Sequence, residues 1–407
     1  MHITAPGTIA LHAPPLRSKS RNLLSACLAH ALHDGYTDGL YAFLPVWQAQ
    51  FGLSYAGVAM VRALYSGTMG GFQLPGDKAL RGMSARAALA IATALAATGF
   101  LVMALPLSFA GLCMGLVLAG LGSSIQHPRG SLLVTQTYGD RARGPLGIYN
   151  FSGDLGKAVL PAVAACLLPF VAWRPVLGMM AVLGGAVAAA LVALAPAVAA
   201  PDADHRATAR ARGAGGVFGL LVTIGALDTA ARMGYLLFLP FLVHGRGGAT
   251  ATVGLALALL FIGGALGKAT CSWLGQYLGV IGTVIMTETA TALLITATLF
   301  TPLHATLVIL PLLGIVLNGT SSVLYGTVPE LAPAGNAGRA FAMFYTGVIG
   351  AGGLAPIVYG AIADHSSQAV GMLAAAGTAA VIVPLVVALR PWLHTAAVGR
   401  IQPSTRR

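Results

Sequence analysis

Long apolar runs dominate the chain, and its polar residues gather in short stretches between them. Twelve runs are legible, at about 22–45, 55–76, 84–105, 108–135, 145–168, 174–196, 216–243, 250–274, 279–300, 303–327, 338–362 and 369–394. Each reaches about 20 residues, enough for a helix rising about 1.5 Å per residue to cross about 30 Å of hydrocarbon. A helix in the core of a soluble protein needs no such length, so the pattern predicts an all-α integral membrane protein with twelve transmembrane helices.

The one long polar stretch between runs, "APDADHRATARARGAGG" from Ala200 to Gly216, separates six helices from six. The expected organisation is an N-terminal tail over 1–21, a six-helix bundle over 22–196, a flexible linker over 197–215, a second bundle over 216–394 and a tail over 395–407. The halves echo each other: "ALHDGYTDGLYAFLP" from Ala31 aligns without gaps on "ALDTAARMGYLLFLP" from Ala226, pairing Gly39 with Gly234. A weaker echo pairs Ser123 and Ser124 with Ser321 and Ser322. Pseudo-symmetric six-helix repeats predict a transporter with a midplane site between the halves.

Composition agrees with the pattern: 57% of residues are hydrophobic, 8% are charged, and the mean hydropathy is +0.82. The net charge of +12 invites a nucleic-acid reading, which the distribution of the charge removes. Of the basic residues outside the runs, only Arg174 and Arg246 fall on one side and all the others on the opposite side. By the positive-inside rule both termini and the linker are expected in the cytoplasm, as in a multi-pass protein of the bacterial inner membrane. Cys27, Cys113, Cys166 and Cys271 fall in four different runs without CxxC spacing, which predicts neither a disulfide framework nor a zinc site. The basic residues and apolar run near the start imitate a cleavable signal, but eleven further runs predict a retained first helix.

The chain resembles the major facilitator superfamily over essentially its whole length. "VPELAPAGNAGRAFAMFYTGVIGAGGLAPIVYGAIAD", Val328 to Asp364, matches the superfamily's motif around the turn between helices 10 and 11. There Glu330 and Arg339 are candidates for a cytoplasmic gate pair, with a surface salt bridge or no pair at all as the alternative. The loop "GGFQLPGDKALRGMSAR" resembles the superfamily's acidic-plus-basic signature through Asp77, Lys78, Arg81 and Arg86, although Gln73 and Leu80 occupy its glycine positions. "GLGSSIQHPRGSLL" from Gly120, together with the opening helix, resembles fosmidomycin-resistance-type exporters. That resemblance implies the twelve-helix fold and export.

Charges inside the runs are the candidate chemistry. Each costs about 2.5–3.5 kcal/mol at the bilayer centre unless a partner or a polar cavity receives it. His30, Asp34 and Asp38 recur every fourth residue and stack on one helical face, the pattern of a proton path. The competing reading pairs Asp34 or Asp38 with Arg62 or Arg129 to lock helices together. Arg62 is the candidate ligand for an anionic substrate group, since guanidinium binds such groups through two parallel hydrogen bonds. His127, Arg129, Asn150, Asp154, Asp228 and Arg232 complete the candidate substrate site, with intrahelical ion pairs, Asp154 with Lys157 above all, as the alternative. His33 lies off the stripe and is expected to make a packing hydrogen bond. Lys268 and Glu288 are expected to snorkel toward the helix ends, and Tyr325 and Tyr345 to pack in the core.

These features predict a proton-coupled secondary transporter, working as a monomer in the lipid bilayer, that exports a small polar or anionic organic molecule such as a drug, a metabolite or a siderophore. Proton-driven import of an organic anion is the alternative. The chain carries no HExxH, nucleophile elbow, Walker A motif or metal-ligand spacing, so neither enzymatic activity nor a metal or other cofactor is expected.

Overall fold

The computed structural model describes residues 16–80, 82–194, 215–331 and 337–398, and within them the chain is helical throughout its regular structure. The expected linker lies outside the described residues except at its last position.

Leu16–Gly39 forms α1, which runs on through a 3-10 turn at Leu40–Phe43 and a helix at Leu44–Phe51. The first membrane helix therefore continues six residues past the end of the apolar run, because Pro45 sits at the start of the last segment, where its missing N–H disturbs nothing. Gly52, at φ 62°, ends it. Ser54 then accepts a hydrogen bond from Gly57 N–H and caps α2, Tyr55–Gly71. A short helix at Gln73–Ala79 precedes α3, Ala85–Ala104. Next come α4, Ser108–Tyr138, α5, Arg143–Leu167, α6, Trp173–Ala193, and α7, Gly215–Gly245. Thr250–Phe300 is one helical run broken at Gly279, whose φ of 68° a side chain would strain, and its two arms are α8 and α9. The last helices are α10, Leu303–Leu331, α11, Ala337–His365, and α12, Gln368–Val398.

Among the described residues nine of these twelve helices are long and apolar enough to cross a membrane by length and composition. The other three, α1, α2 and α5, hold the charged residues His30 to Asp38, Arg62, and Asp154 with Lys157. The fold is apolar outside and charged inside: Phe170, Phe300, Val182 and Val308 are each more than 70% exposed, whereas ten charged or imidazole side chains among the described residues are buried.

Within the first six helices α1 packs on α5, and α3 on α4 and α6. Within the last six, α10 packs on α8 and α9, and α7 on α11 and α12. Two seams join the sets, α2 against α11 and α5 against α8. The α1–α5 contact decides where the charges meet. A Cβ on Gly156 would fall inside the Ala31 carbonyl, so α5 approaches α1 at backbone distance and brings its neighbours Gly153, Asp154 and Lys157 to the helix 1 stripe.

Candidate functional site

Between the two sets lies a cavity of about 540 Å³. His30, Asp34, Thr37 and Tyr41 of α1 line it together with Arg62 of α2, His127 of α4, Asn150 and Lys157 of α5, Arg232 of α7 and Lys268 of α8. It extends past Gln73, Ser131, Tyr325 and Tyr345 toward the end of the bundle that carries Lys78 and Arg141, the basic end.

Asp34 is the hub. His30 Nε2 stands 3.3 Å from its Oδ2, Lys157 Nζ 3.3 Å from the same oxygen, and His127 Nε2 3.6 Å from Oδ1. The imidazole of His30 is fixed in two ways, stacked on the Tyr149 ring at 4.0 Å and hydrogen-bonded through Nδ1 to the Tyr149 carbonyl at 2.8 Å. A carbonyl only accepts, so Nδ1 carries a proton and donates it. Nε2 therefore meets the carboxylate favourably only when one more proton lies between the two side chains. Gly153 makes the pair possible: a Cβ there would come within 2.6 Å of Asp34 Oδ2 and 2.8 Å of His30 Nε2.

The donor atoms of His30, Asp34 and His127 all lie within 4.8 Å of one another, close enough to hold a metal ion by distance. Lys157 supplies positive charge at the Asp34 oxygen that such an ion requires, so the donor set fits a proton better than a divalent cation.

Two guanidinium groups face the cavity, one from each half. Arg62 lies against the rings of Tyr41 and Tyr65, 5.0 and 5.3 Å from their centroids. It donates to the Thr37 carbonyl at 3.1 Å, while its Nε and Nη1 have no hydrogen-bond partner. Arg232 donates to Asn318 Oδ1 at 3.3 Å and to Thr229 Oγ1 at 3.4 Å, with Nε unpartnered. Unfilled donors on cations beside a polar cavity are a ready-made anion site.

Several sequence expectations change at this point. Asp34 is paired with neither Arg62 nor Arg129, because the close α1–α5 contact puts Lys157 there first. Asp154 is paired across the seam with Lys268, at 2.6 and 2.8 Å, rather than with Lys157 of its own helix. Lys268 and Glu288 do not snorkel: Lys268 lines the cavity, and Glu288 is 1% exposed. Tyr325 and Tyr345 face the cavity with ring centroids 5.0 Å apart. Of the other candidates, His127 and Asn150 line the cavity, whereas Asp38, Arg129, Asp154 and Asp228 are buried and do not. Arg129 donates to the Met83 carbonyl at 3.4 Å, and Asp228 turns toward Ser321. His33 makes its packing bonds, to Ser123 at 2.9 Å and Thr93 at 3.1 Å. Among the candidate gate residues Lys78 and Glu330 are exposed. Arg81 and the side chains of Asp77 and Arg339 lie outside the described residues.

The end opposite the basic one is shut by contacts that sequence reasoning did not single out. The Asp364 carboxylate, at the end of α11, accepts hydrogen bonds from the Tyr55 and Ala56 N–H groups at the start of α2, at 2.7 and 2.9 Å. Tyr55 packs edge-on against Phe238 and Phe241 of α7, and Tyr41 reaches Met233 Sδ at 3.3 Å. One signal was present: an acid at the C-terminal end of its own helix opposes that helix's dipole, a placement that makes sense where it serves the N-terminus of another.

Comparison with known proteins agrees with this architecture. A family model described as Major Facilitator Superfamily matches residues 26–221. The fosmidomycin resistance protein of Escherichia coli (strain K12) is 24% identical over 361 residues, covering 84% of this chain and 86% of that protein. A POT family transporter solved in complex with 5-aminolevulinic acid superposes with a TM-score of 0.77 at 12% identity, covering 92% of this chain and 96% of its own. A bacterial homologue of the human lysosomal transporter Spinster, inward-facing and unoccupied, gives 0.68 at 15% identity, with 95% and 96% covered. A nucleoside transporter gives 0.74 at 15% identity, with 91% and 99% covered. From its helix arrangement and these matches, the chain has the fold of the major facilitator superfamily and is similar to a transporter of the fosmidomycin-resistance type.

Proposed function

We propose that the protein is a proton-coupled secondary transporter that exports a small polar or anionic organic molecule across the inner membrane by alternating access. The observation that carries this reading is the placement of Arg62 and Arg232, from opposite halves, with open donors in one cavity beside a protonatable His30–Asp34 pair. An anionic group spanning the two guanidiniums ties its binding to the relative position of the halves, 22–196 and 216–394, which rock about the site. With both termini in the cytoplasm, the cavity faces the cytoplasm in this conformation. Export follows the similarity to a resistance protein. Exchange follows if the substrate also presents an N–H or O–H donor, which competes with the proton for Asp34. Asp38, one turn further along α1, continues the proton path.

A second reading, proton-driven import of an organic anion, is favoured by one contact. Lys157 is held by Asp34 at 3.3 Å, and protonating Asp34 frees that ammonium for an anion, so that proton and anion load together. The readings differ in sign. For exchange, substrate affinity rises with pH through the titration of the site, and for co-transport it falls.

The test expresses the wild type and Arg62→Ala in an efflux-deficient bacterium and compares fosmidomycin susceptibility and accumulation. Exporting this compound requires lower accumulation with the wild type and recovery of accumulation in the variant. Raised accumulation in wild-type cells establishes import instead.

A further inference from the structure

The chemistry proposed above uses the acids of α1 and leaves two buried carboxyl groups of the second half without a role. Asp228 on α7 is 3% exposed and Glu288 on α9 is 1% exposed. The two carboxyl groups lie within hydrogen-bonding reach of each other, with the Thr320 hydroxyl beside Glu288, and Ser321 Oγ on α10 donates to Asp228 Oδ2 at 2.7 Å. Glu288 Oε1 is buried with no hydrogen-bond partner.

Ionised carboxylates only accept, so a hydrogen bond between two of them requires a proton on one. Two like charges in contact away from water do not both persist, and a pair of this kind holds its proton in common. The groups around the pair supply no other solution. Arg232, one turn along α7, is the nearby cation, and its terminal nitrogens donate to Asn318 and Thr229. The Cys271 thiol of α8 and the Tyr325 hydroxyl of α10, the other titratable groups within electrostatic reach, are neutral in their ordinary state. One proton leaves the pair with a single negative charge, which the single positive charge of Arg232 balances.

The repeat supports the assignment. Asp228 aligns with His33 of α1, and His33 bridges Ser123 of α4 and Thr93 of α3. Asp228 likewise faces α10 and α9, the counterparts of α4 and α3. In the first half a neutral imidazole satisfies two hydroxyls at this position. In the second half an acid meets an acid, an arrangement that packing alone does not require.

We infer that Asp228 and Glu288 form a second proton-binding site, a carboxyl–carboxylate pair that holds one proton in the second half of the protein. Arg232 links it to the cavity. An anion on the Arg232 guanidinium offsets the charge that would otherwise stabilise an ionised Asp228, so the pair retains its proton while the anion is bound and releases it more readily afterwards. The use of this proton in transport rests on the proton-coupled reading above, whereas its presence does not.

Infrared difference spectroscopy on the purified full-length protein, between neutral and alkaline pH in H2O and D2O, tests the site directly. The expected result is a carbonyl stretch of a buried protonated carboxyl group that shifts in D2O and is lost in both Asp228→Asn and Glu288→Gln. Ser321→Ala, which removes only the donor to Asp228, should move the band without abolishing it, and it serves where the acid variants fail to fold. Asp34→Asn should leave the band in place. Absence of any such band in the wild type, or a band that survives Glu288→Gln and disappears in Asp34→Asn, overturns the assignment. A wild type that shows the band yet moves no protons with substrate would uphold the pair and remove the coupling.

Discussion

Replacing Asp364 by alanine removes the clasp that holds α11 to the start of α2. The carboxylate accepts two N–H groups, from Tyr55 and Ala56, that the first turn of α2 leaves without intrahelical partners. A negative charge at a helix N-terminus contributes about 0.3–1 kcal/mol when exposed, and each net hydrogen bond about 0.5–1.5 kcal/mol. Water replaces part of both at this exposed site, so the loss is about 1–2 kcal/mol. The contact joins the two halves at the end opposite the basic one, and it exists only while that end is shut. Its loss therefore shifts the conformational equilibrium toward the state open at that end, by roughly 5–30-fold. Spin labels at Phe170 and Phe300, both exposed at that end and from opposite halves, in a background lacking the four native cysteines, would report the shift by double electron–electron resonance. The variant should gain a longer-distance population. A distance distribution identical to that of the wild type would refute the clasp.

Gly153→Val pushes a side chain into the space occupied by the His30–Asp34 pair, where a Cβ alone lies 2.6 Å from a carboxylate oxygen. The folded variant should lose gradient-driven transport, checked by uptake into proteoliposomes alongside size-exclusion elution. Lys268→Met leaves the buried Asp154 carboxylate without its partner and should lower thermal stability by about 1–2 kcal/mol, the full cost of an unpaired buried charge being reduced by the partial exposure of Lys268. Adding Asp154→Leu should recover most of that loss in a melting experiment, and a double variant no more stable than the single one would contradict the pairing. Arg62→Ala and Arg232→Ala should each weaken binding of an anionic substrate by about tenfold, from the net worth of a charge-assisted hydrogen bond of about 1.5 kcal/mol, as measured by equilibrium binding.

The membrane helices were legible because a bilayer imposes a length and a polarity that no packing detail overrides. The α1 stripe was legible because spacing by four residues is a property of one helix. What lay beyond the sequence was the choice of partner between helices. Asp34 meets Lys157 because Gly156 and Ala31 let two backbones touch, and Asp154 meets Lys268 because α5 and α8 form a seam. Neither fact is written near the residues concerned. Snorkelling was expected of Glu288 from its distance along the helix, and that reasoning ignored which face of α9 turns inward. The continuation of the first membrane helix to Phe51 lies beyond the apolar run, which stops at residue 45, because a proline at a helix start continues the chain's direction without breaking a hydrogen bond.

The central claim is that a proton held between His30 and Asp34 is linked to binding at Arg62 and Arg232. Everted membrane vesicles acidified by respiration and loaded with a pH-sensitive dye test it, with a panel of small organic anions added in turn to wild-type and Asp34→Asn protein. The account predicts that a transported anion changes the internal pH in wild-type vesicles alone, while Asp34→Asn still binds that anion and exchanges it between compartments. Equal proton movement in the two would contradict it.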